Sequence, residues 1–195
     1  MSTLPNLVTH FHALERLVEA QPEGVTAEIV HGIYLMSPRP RVRHGAVQSA
    51  LAQVLRAALG TTGSGPNQAP DWLFVVEPEL RSEKALTRCV PDLAAWRRST
   101  TGWPQPDDAL IELVPDWALE ILSPSTAKDD KGPKLEAYGM MGVGWVWLAD
   151  PDAKTIETFL NVRGSMHPDR RAETGALTAA PFDAVPVRLD DVFAY

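Results

Sequence analysis

PDWALEILSPST (residues 115–126) and KLEAYGMMGVGWVWLADP (residues 134–151) carry the clearest change of element type in the chain. WALEIL, residues 117–122, is a short β-rich run stopped by Ser123-Pro124. A short apolar run bounded by turn residues reads as a strand. A helix is expected over roughly 126–141, its regular part beginning near Pro133, because proline suits the first helical turn and disrupts the interior. Lys134 and Tyr138 share one face of that helix, Met141 continues the stripe, and Gly142 and Gly144 end it. GWVWLAD (144–150) and TIETFLNV (155–162) flank Asp150-Pro-Asp-Ala-Lys154, which predicts a hairpin.

Towards the N-terminus, RCVPDLAAW (88–96) and WLFVVEPEL (72–80) read as two more strands, and the proline- and glycine-bearing stretch 97–116 reads as a loop. Val47, Leu51, Val54, Leu55 and Ala58 recur at helical spacing, so a helix is expected over about 43–59, stopped by Gly60 and followed by the loop TTGSGPNQAPD. AEIV and IYLM around His31-Gly32 predict a hairpin over 26–36, with Pro38 and Pro40 breaking the chain after it. Residues 1–20 read as a helix with Phe11, Leu14, Leu17 and Val18 on one face. The tail offers a weak strand near 185–189 and a short terminal helix at DDVFAY. This order predicts an α+β fold with helices packed on a central sheet, as one domain over 1–195 with the first helix an extension.

Composition narrows the classes. The 195 residues are 45% apolar and 22% charged, enough for a real core. No run of eighteen apolar residues is present, and no basic segment precedes an apolar one at the N-terminus, so no membrane span and no secretory signal are expected. Cys89 is the only cysteine, which excludes an intrachain disulfide and a cysteine-rich zinc site and favours a cytoplasmic location. The net charge of -7 argues against binding nucleic acid by charge alone. Any phosphate-binding surface must be local, and Arg39, Arg41, Arg43 and His44 in PRPRVRHG are the candidates, against the plainer reading of a solvated loop entering a helix.

Two acids stand out by position: Asp92 in VPDLAAW and Glu120 in WALEIL, each flanked by apolar residues. Carboxylates are poor strand formers and are rarely buried without partners. A lone one usually faces solvent. Two of them projecting from neighbouring strands toward one point would bind a hard divalent cation. Glu28 and His44 taken singly read as structural, Glu77 and Glu79 alternate along a strand beside Pro78 with little functional weight, and Cys89 reads as packing. Lys128 and Lys131 read as exposed lysines of an amphipathic helix. There is no Gly-x-Ser-x-Gly elbow, no phosphate-binding loop ending in Gly-Lys-Ser/Thr and no His-Glu-x-x-His.

EIVHGIYLMSP, the helix opening at His44, CVPDLAAW, PDWALEILSPST, KLEAYGMMGVGWVWLADP and PFDAVPVRLDDVF follow one another over about residues 20–195. In this order they resemble the Uma-two-like restriction endonucleases, a branch of the PD-(D/E)XK nuclease superfamily. The resemblance implies a restriction-endonuclease-like core with a mixed central sheet. It implies that Asp92 and Glu120 are the metal ligands, with Glu28 completing the acidic cluster and Lys134 standing in for the superfamily's lysine. That lysine usually follows the second acid by two residues. Here the position is Leu122, which strand alternation puts on the face of Glu120.

The expected activity is Mg²⁺- or Mn²⁺-dependent hydrolysis of DNA phosphodiester bonds. Asp92, Glu120 and the Ile121 carbonyl hold the ion, Lys134 acts on the attacking water or the developing charge, and the arginines track the backbone. A homodimer would cut both strands. The rivals are a non-catalytic binding module on the nuclease scaffold, which the apolar Leu122 and the acidic charge favour, and a hydrolase of small phosphate esters.

Overall fold

The computed structural model describes residues 4–22, 25–37, 41–59, 71–123 and 130–195. Pro38, Arg39 and Pro40, the helix stop at Gly60 with the loop behind it, and the residues 124–129 expected to open a helix, Lys128 among them, lie outside the described residues. The elements are α1 (Leu4–Glu19), β1 (Thr26–Val30), β2 (Ile33–Ser37), α2 (Val42–Leu59), β3 (Trp72–Val76), β4 (Leu80–Ser82), β5 (Thr87–Cys89), β6 (Leu93–Arg97) and β7 (Trp117–Ile121). A π-helical turn, Asp130–Lys134, then leads into α3 (Leu135–Met141), followed by β8 (Trp145–Asp150), β9 (Thr155–Val162), β10 (Ser165–Ala172), β11 (Ala176–Leu177), β12 (Val187–Arg188) and α4 (Leu189–Val192).

The fold is α+β. Its main sheet has six strands in the order β10-β9-β8-β7-β6-β3. Only β7 and β8 run parallel, so the sheet is mixed, and the chain between them crosses over through α3. A parallel pair needs such a crossover, whereas antiparallel neighbours can be joined by a tight turn. A second sheet, β2-β1-β5-β4, and the small pair β11-β12 complete the strands.

Strand alternation gives the main sheet two apolar faces. On one, Leu93, Ala95, Trp117, Leu119, Ile121 and Trp147 pack under Val47, Leu51 and Leu55 of α2 and the tail around Phe182. On the other, Ala94, Trp96, Ala118, Leu122, Val146 and Leu148 pack under Leu135, Tyr138 and Met141 of α3, and the small sheet adds Leu80 and Cys89. Trp96, Trp117 and Trp147 are fully buried, so these three tryptophans belong to the core. α1 lies against the small sheet: Phe11 is fully buried, Arg81 pairs with Glu15 at 2.7 Å and Arg88 with Glu19 at 3.1 Å. Among the described residues no helix is long and apolar enough to cross a membrane.

Four sequence expectations need correction. RCVPDLAAW is not one strand: it breaks into β5 and β6 around Val90-Pro91-Asp92, where the chain leaves one sheet for the other. WLFVVEPEL also divides, because Glu77 takes a positive φ of 49° and the chain turns before β4. Glu77 and Glu79 therefore do not alternate along a strand. On α1, Leu17 is 52% exposed, outside the stripe set by Phe11. The helix after β7 reaches α-geometry only at Leu135, after the π turn containing Pro133.

β10 was not legible in the sequence. SMHPDRRA is an edge strand carrying Pro168 and an irregularity between Pro168 and Arg170, and most of its side chains are exposed. It shows no apolar alternation because neither of its faces is buried in the core. Proline and bulges are common on sheet edges.

α3 sits close to the β9–β10 turn. The Asn161 side-chain amide donates to the carbonyls of Gly139 at 3.0 Å and Val143 at 2.9 Å, and its oxygen accepts from the Gly164 N–H at 2.8 Å. A Cβ on Gly139 would lie 2.7 Å from the Gly164 carbonyl oxygen, a backbone atom that cannot rotate away. Gly139→Ala is therefore expected to destabilise the protein by about 1–3 kcal/mol through overpacking. Urea unfolding of the variant checks this, and an unchanged midpoint would show that the helix can lift off the turn freely.

Candidate active site

β6 and β7 pair antiparallel, Leu93 opposite Leu119 and Ala94 opposite Ala118. One residue before β6 the chain bends at Asp92, whose Oδ2 accepts the N–H of Ile121, the residue after Glu120. Within β7, Glu120 shares parity with Ala118 and Leu122 of the α3 face, while the Asp92 carboxylate in the bend meets His44 of α2. Both acids thus lie at one end of the sheet, where the carboxyl end of β7 meets the bend feeding β6.

Asp92 is gripped on several sides. Its Oδ2 accepts the Ile121 N–H at 2.5 Å, and His44 Nε2 lies 3.1 Å from its Oδ1. Its main-chain carbonyl accepts from the Gln48 side chain at 2.9 Å. His44 and Gln48 are four residues apart, hence on one face of α2.

Glu120 is buried among partners from two other elements. Its Oε1 accepts from Lys134 Nζ at 3.2 Å and from the Tyr138 hydroxyl at 2.5 Å. Lys134 Nζ also meets Glu28 Oε1 of β1 at 3.0 Å, and that oxygen accepts the Val90 N–H at 2.7 Å. Glu28, Glu120 and Lys134 are each under 7% exposed. Charges this deep persist only when paired and hydrogen-bonded. Burial, then the nearby Cys89 and Glu120, pushes the Tyr138 phenol well above its usual range, so it stays protonated and donates. Burial and then Glu28 push the Cys89 thiol up too, which suits a packing residue and not a nucleophile.

The lysine comes from the helix. Leu122 is buried and packs with Leu135 and Tyr138, so an apolar side chain fills the strand position two residues after Glu120. Lys134, at the junction of the π turn and α3, brings its ammonium to Glu120 instead.

Whether these residues suit a divalent cation depends on their donors. Among the described residues no group of three His, Cys, Asp or Glu side chains is arranged to hold a metal ion. Two carboxylates, Asp92 and Glu120, remain at this sheet end, and the Ile121 carbonyl is a third oxygen. Leu122 N–H bonds the Ala149 carbonyl of β8, which turns the N–H and C=O of Ile121 toward β6. The β6–β7 ladder ends at Leu93 opposite Leu119, and Pro91, two residues before Leu93, has no N–H to extend it to Ile121. The ladder therefore leaves that carbonyl without its cross-strand donor. Two carboxylates, one carbonyl and water form a donor set that fits Mg²⁺, which keeps several waters, and does not fit Zn²⁺, which prefers nitrogen and sulfur.

The basic candidates fall into different places. Arg43 pairs with Asp152 and lies 5.6 Å from the centre of the Tyr195 ring, so it is engaged within the chain. Arg41 is exposed just before α2, His44 turns inward to Asp92, and Arg39 lies outside the described residues. Sequence reasoning passed over Gln48. The available signal was a polar residue inside the apolar stripe of α2, one turn after His44.

The Uma2 family, described as "Putative restriction endonuclease", matches residues 8–188. No curated protein matches the chain. Among solved structures, a protein from Anabaena variabilis ATCC 29413, described as a putative nuclease belonging to DUF820, superposes with a TM-score of 0.72 at 19% identity. The match covers 93% of this chain and 97% of that one, and at this identity it establishes the shared fold. With nearly its whole length matched, the chain belongs to the Uma2 family of restriction-endonuclease-like proteins.

Proposed function

We propose that this chain is a metal-dependent endonuclease of the PD-(D/E)XK type that hydrolyses phosphodiester bonds in DNA. The observation that carries the reading is that Asp92 accepts the N–H of Ile121, the residue after Glu120, at one sheet end, with the Lys134 ammonium 3.2 Å from Glu120. Glu28 and Glu120 both pair with Lys134, and Asp92, facing His44, adds a further carboxylate at the same sheet end. Carboxylates so gathered would attract a divalent cation.

Asp92, Glu120 and the Ile121 carbonyl would hold Mg²⁺ or Mn²⁺. Such an ion, once bound, lowers the pKa of a coordinated water and balances charge on the scissile phosphate. The protein's own groups do the rest. His44 and the Ile121 N–H aim the Asp92 carboxylate. The neutral Tyr138 hydroxyl orients Glu120. Lys134, held by Glu28, stands ready to steady the attacking water or the charge that develops on the phosphate. Arg41, at the entrance to α2, is suited to a backbone phosphate. Cleavage of both strands calls for two such sites, hence a homodimer, working in the cytoplasm on one domain per chain.

A second reading has one observation in its favour: Lys134 already neutralises part of the acidic cluster without a metal. On that reading the chain is a binding module on an inactive nuclease scaffold. One experiment separates the two. Purified protein is titrated with Mg²⁺ by calorimetry and assayed on supercoiled DNA with Mg²⁺ or with chelator. Saturable binding with chelator-sensitive nicking is expected. DNA binding with neither metal uptake nor nicking supports the inactive module.

A further inference from the structure

Asp92 is held from α2 at two points one helical turn apart: His44 meets its carboxylate and Gln48 its main-chain carbonyl. Gln48 sits among Val47, Leu51 and Leu55, where an apolar side chain would pack without the cost of burying an amide. Both protons of that amide are used. One goes to the Asp92 carbonyl at 2.9 Å, the other to Glu77 Oε1 at 3.0 Å. Because both partners are acceptors, the amide nitrogen has only one way to face.

Glu77 and Asp92 lie one residue beyond the end of the β3–β6 ladder. Val76 stands opposite Leu93, and the Glu77 N–H donates to the Asp92 carbonyl at 3.2 Å. Glu77 holds a φ of 49°, a left-handed conformation that a non-glycine residue keeps only when its surroundings impose it. The Gln48 contact is such a constraint.

We infer that Gln48 is a positioning residue: anchored on Glu77, it fixes the bend at Val90–Asp92 so that the Asp92 carboxylate stays turned to the Ile121 N–H, next to Glu120 in the chain. The inference deepens the nuclease reading and, for its consequence on metal binding, rests on it.

Gln48→Leu keeps the side chain's bulk and removes both hydrogen bonds. Its first readout is hydrogen exchange at the Ile121 amide, which donates to Asp92 Oδ2. Loosening of Asp92 is expected to speed that exchange about tenfold relative to the Leu119 amide in the same strand. The second readout is Mn²⁺ affinity by electron paramagnetic resonance, expected to weaken about tenfold, as for other residues that support a metal ligand. Glu77→Gln retains an acceptor and is expected to leave both readouts unchanged.

Ile121 and Leu119 changing in parallel would mean general destabilisation and overturn the inference. Unchanged Mn²⁺ affinity in Gln48→Leu would overturn it as well. A Glu77→Gln protein that loses Mn²⁺ as strongly as Gln48→Leu would make Glu77 a member of the site itself and end its role as an anchor. If the parent protein takes up no Mn²⁺ while Gln48→Leu still loosens Ile121 alone, the nuclease reading fails and the clamp on Asp92 stands.

Discussion

Glu120→Gln is expected to lower DNA cleavage on the order of 10³-fold or more while leaving the fold intact. The substitution keeps the volume of the side chain. Its amide oxygen can still accept from Tyr138 and Lys134, so the hydrogen bonds that seat it survive. The negative charge does not survive, and a hard cation bound chiefly by charge loses one of its two carboxylates. Asp92→Asn should act in the same way, because its amide oxygen can still take the Ile121 N–H. The loss should fall on kcat, with DNA binding little changed. Single-turnover nicking over a range of Mg²⁺ concentrations, with thermal melting as control, checks both. Asp92→Ala and Glu120→Ala remove the side chains outright and should be as inactive. Parent-level cleavage by these variants at saturating Mg²⁺ would show that the acids are not the ligands.

The largest effect on stability is expected from Lys134→Met. Lys134 is the cation between two carboxylates that are almost fully buried, Glu28 at 3.0 Å and Glu120 at 3.2 Å. Methionine fills similar space and supplies no charge. The two acids then both lose the cation that lies between them. Removing one partner of a buried ion pair costs about 3–5 kcal/mol, much more than the intact pair contributes relative to apolar residues. Adding Glu28→Gln to Lys134→Met should recover part of that loss, because one of the two buried negative charges is removed while the amide can still accept the Val90 N–H. Denaturant unfolding of the parent, the two single variants and the double variant completes the cycle. Additive effects would mean that Lys134 and Glu28 do not interact in solution.

Much of the fold was readable because burial leaves a periodic trace. The β1–β2 and β8–β9 hairpins, α2 and β7 appear within a residue or two of where apolar pattern and turn residues put them. Lys134, Tyr138 and Met141 emerge as one buried stripe, as their spacing on the helix required. The errors fell where periodicity carries no signal. RCVPDLAAW is apolar throughout, and nothing in such a run marks the point at which a chain passes from one sheet to another. Glu77 turns the chain in a conformation that its side chain does not announce. β10 is solvated on its faces and so leaves no apolar pattern to find.

The candidate site divides along the same line. Residue types and their local spacing were enough to single out Asp92 and Glu120, since a carboxylate in an apolar run conflicts with its surroundings wherever it occurs, whereas the role of Lys134 came from the family resemblance. Their partners could not be assigned in that way. Glu28 reaches Lys134 from a different sheet, Gln48 reaches Asp92 from α2, and Pro91 has no N–H to extend the β6–β7 ladder to Ile121. Local pattern reports which side chains need a neighbour. Which neighbour they receive depends on how strands pair and sheets stack, and those contacts join residues tens of positions apart that no short stretch of the chain encodes.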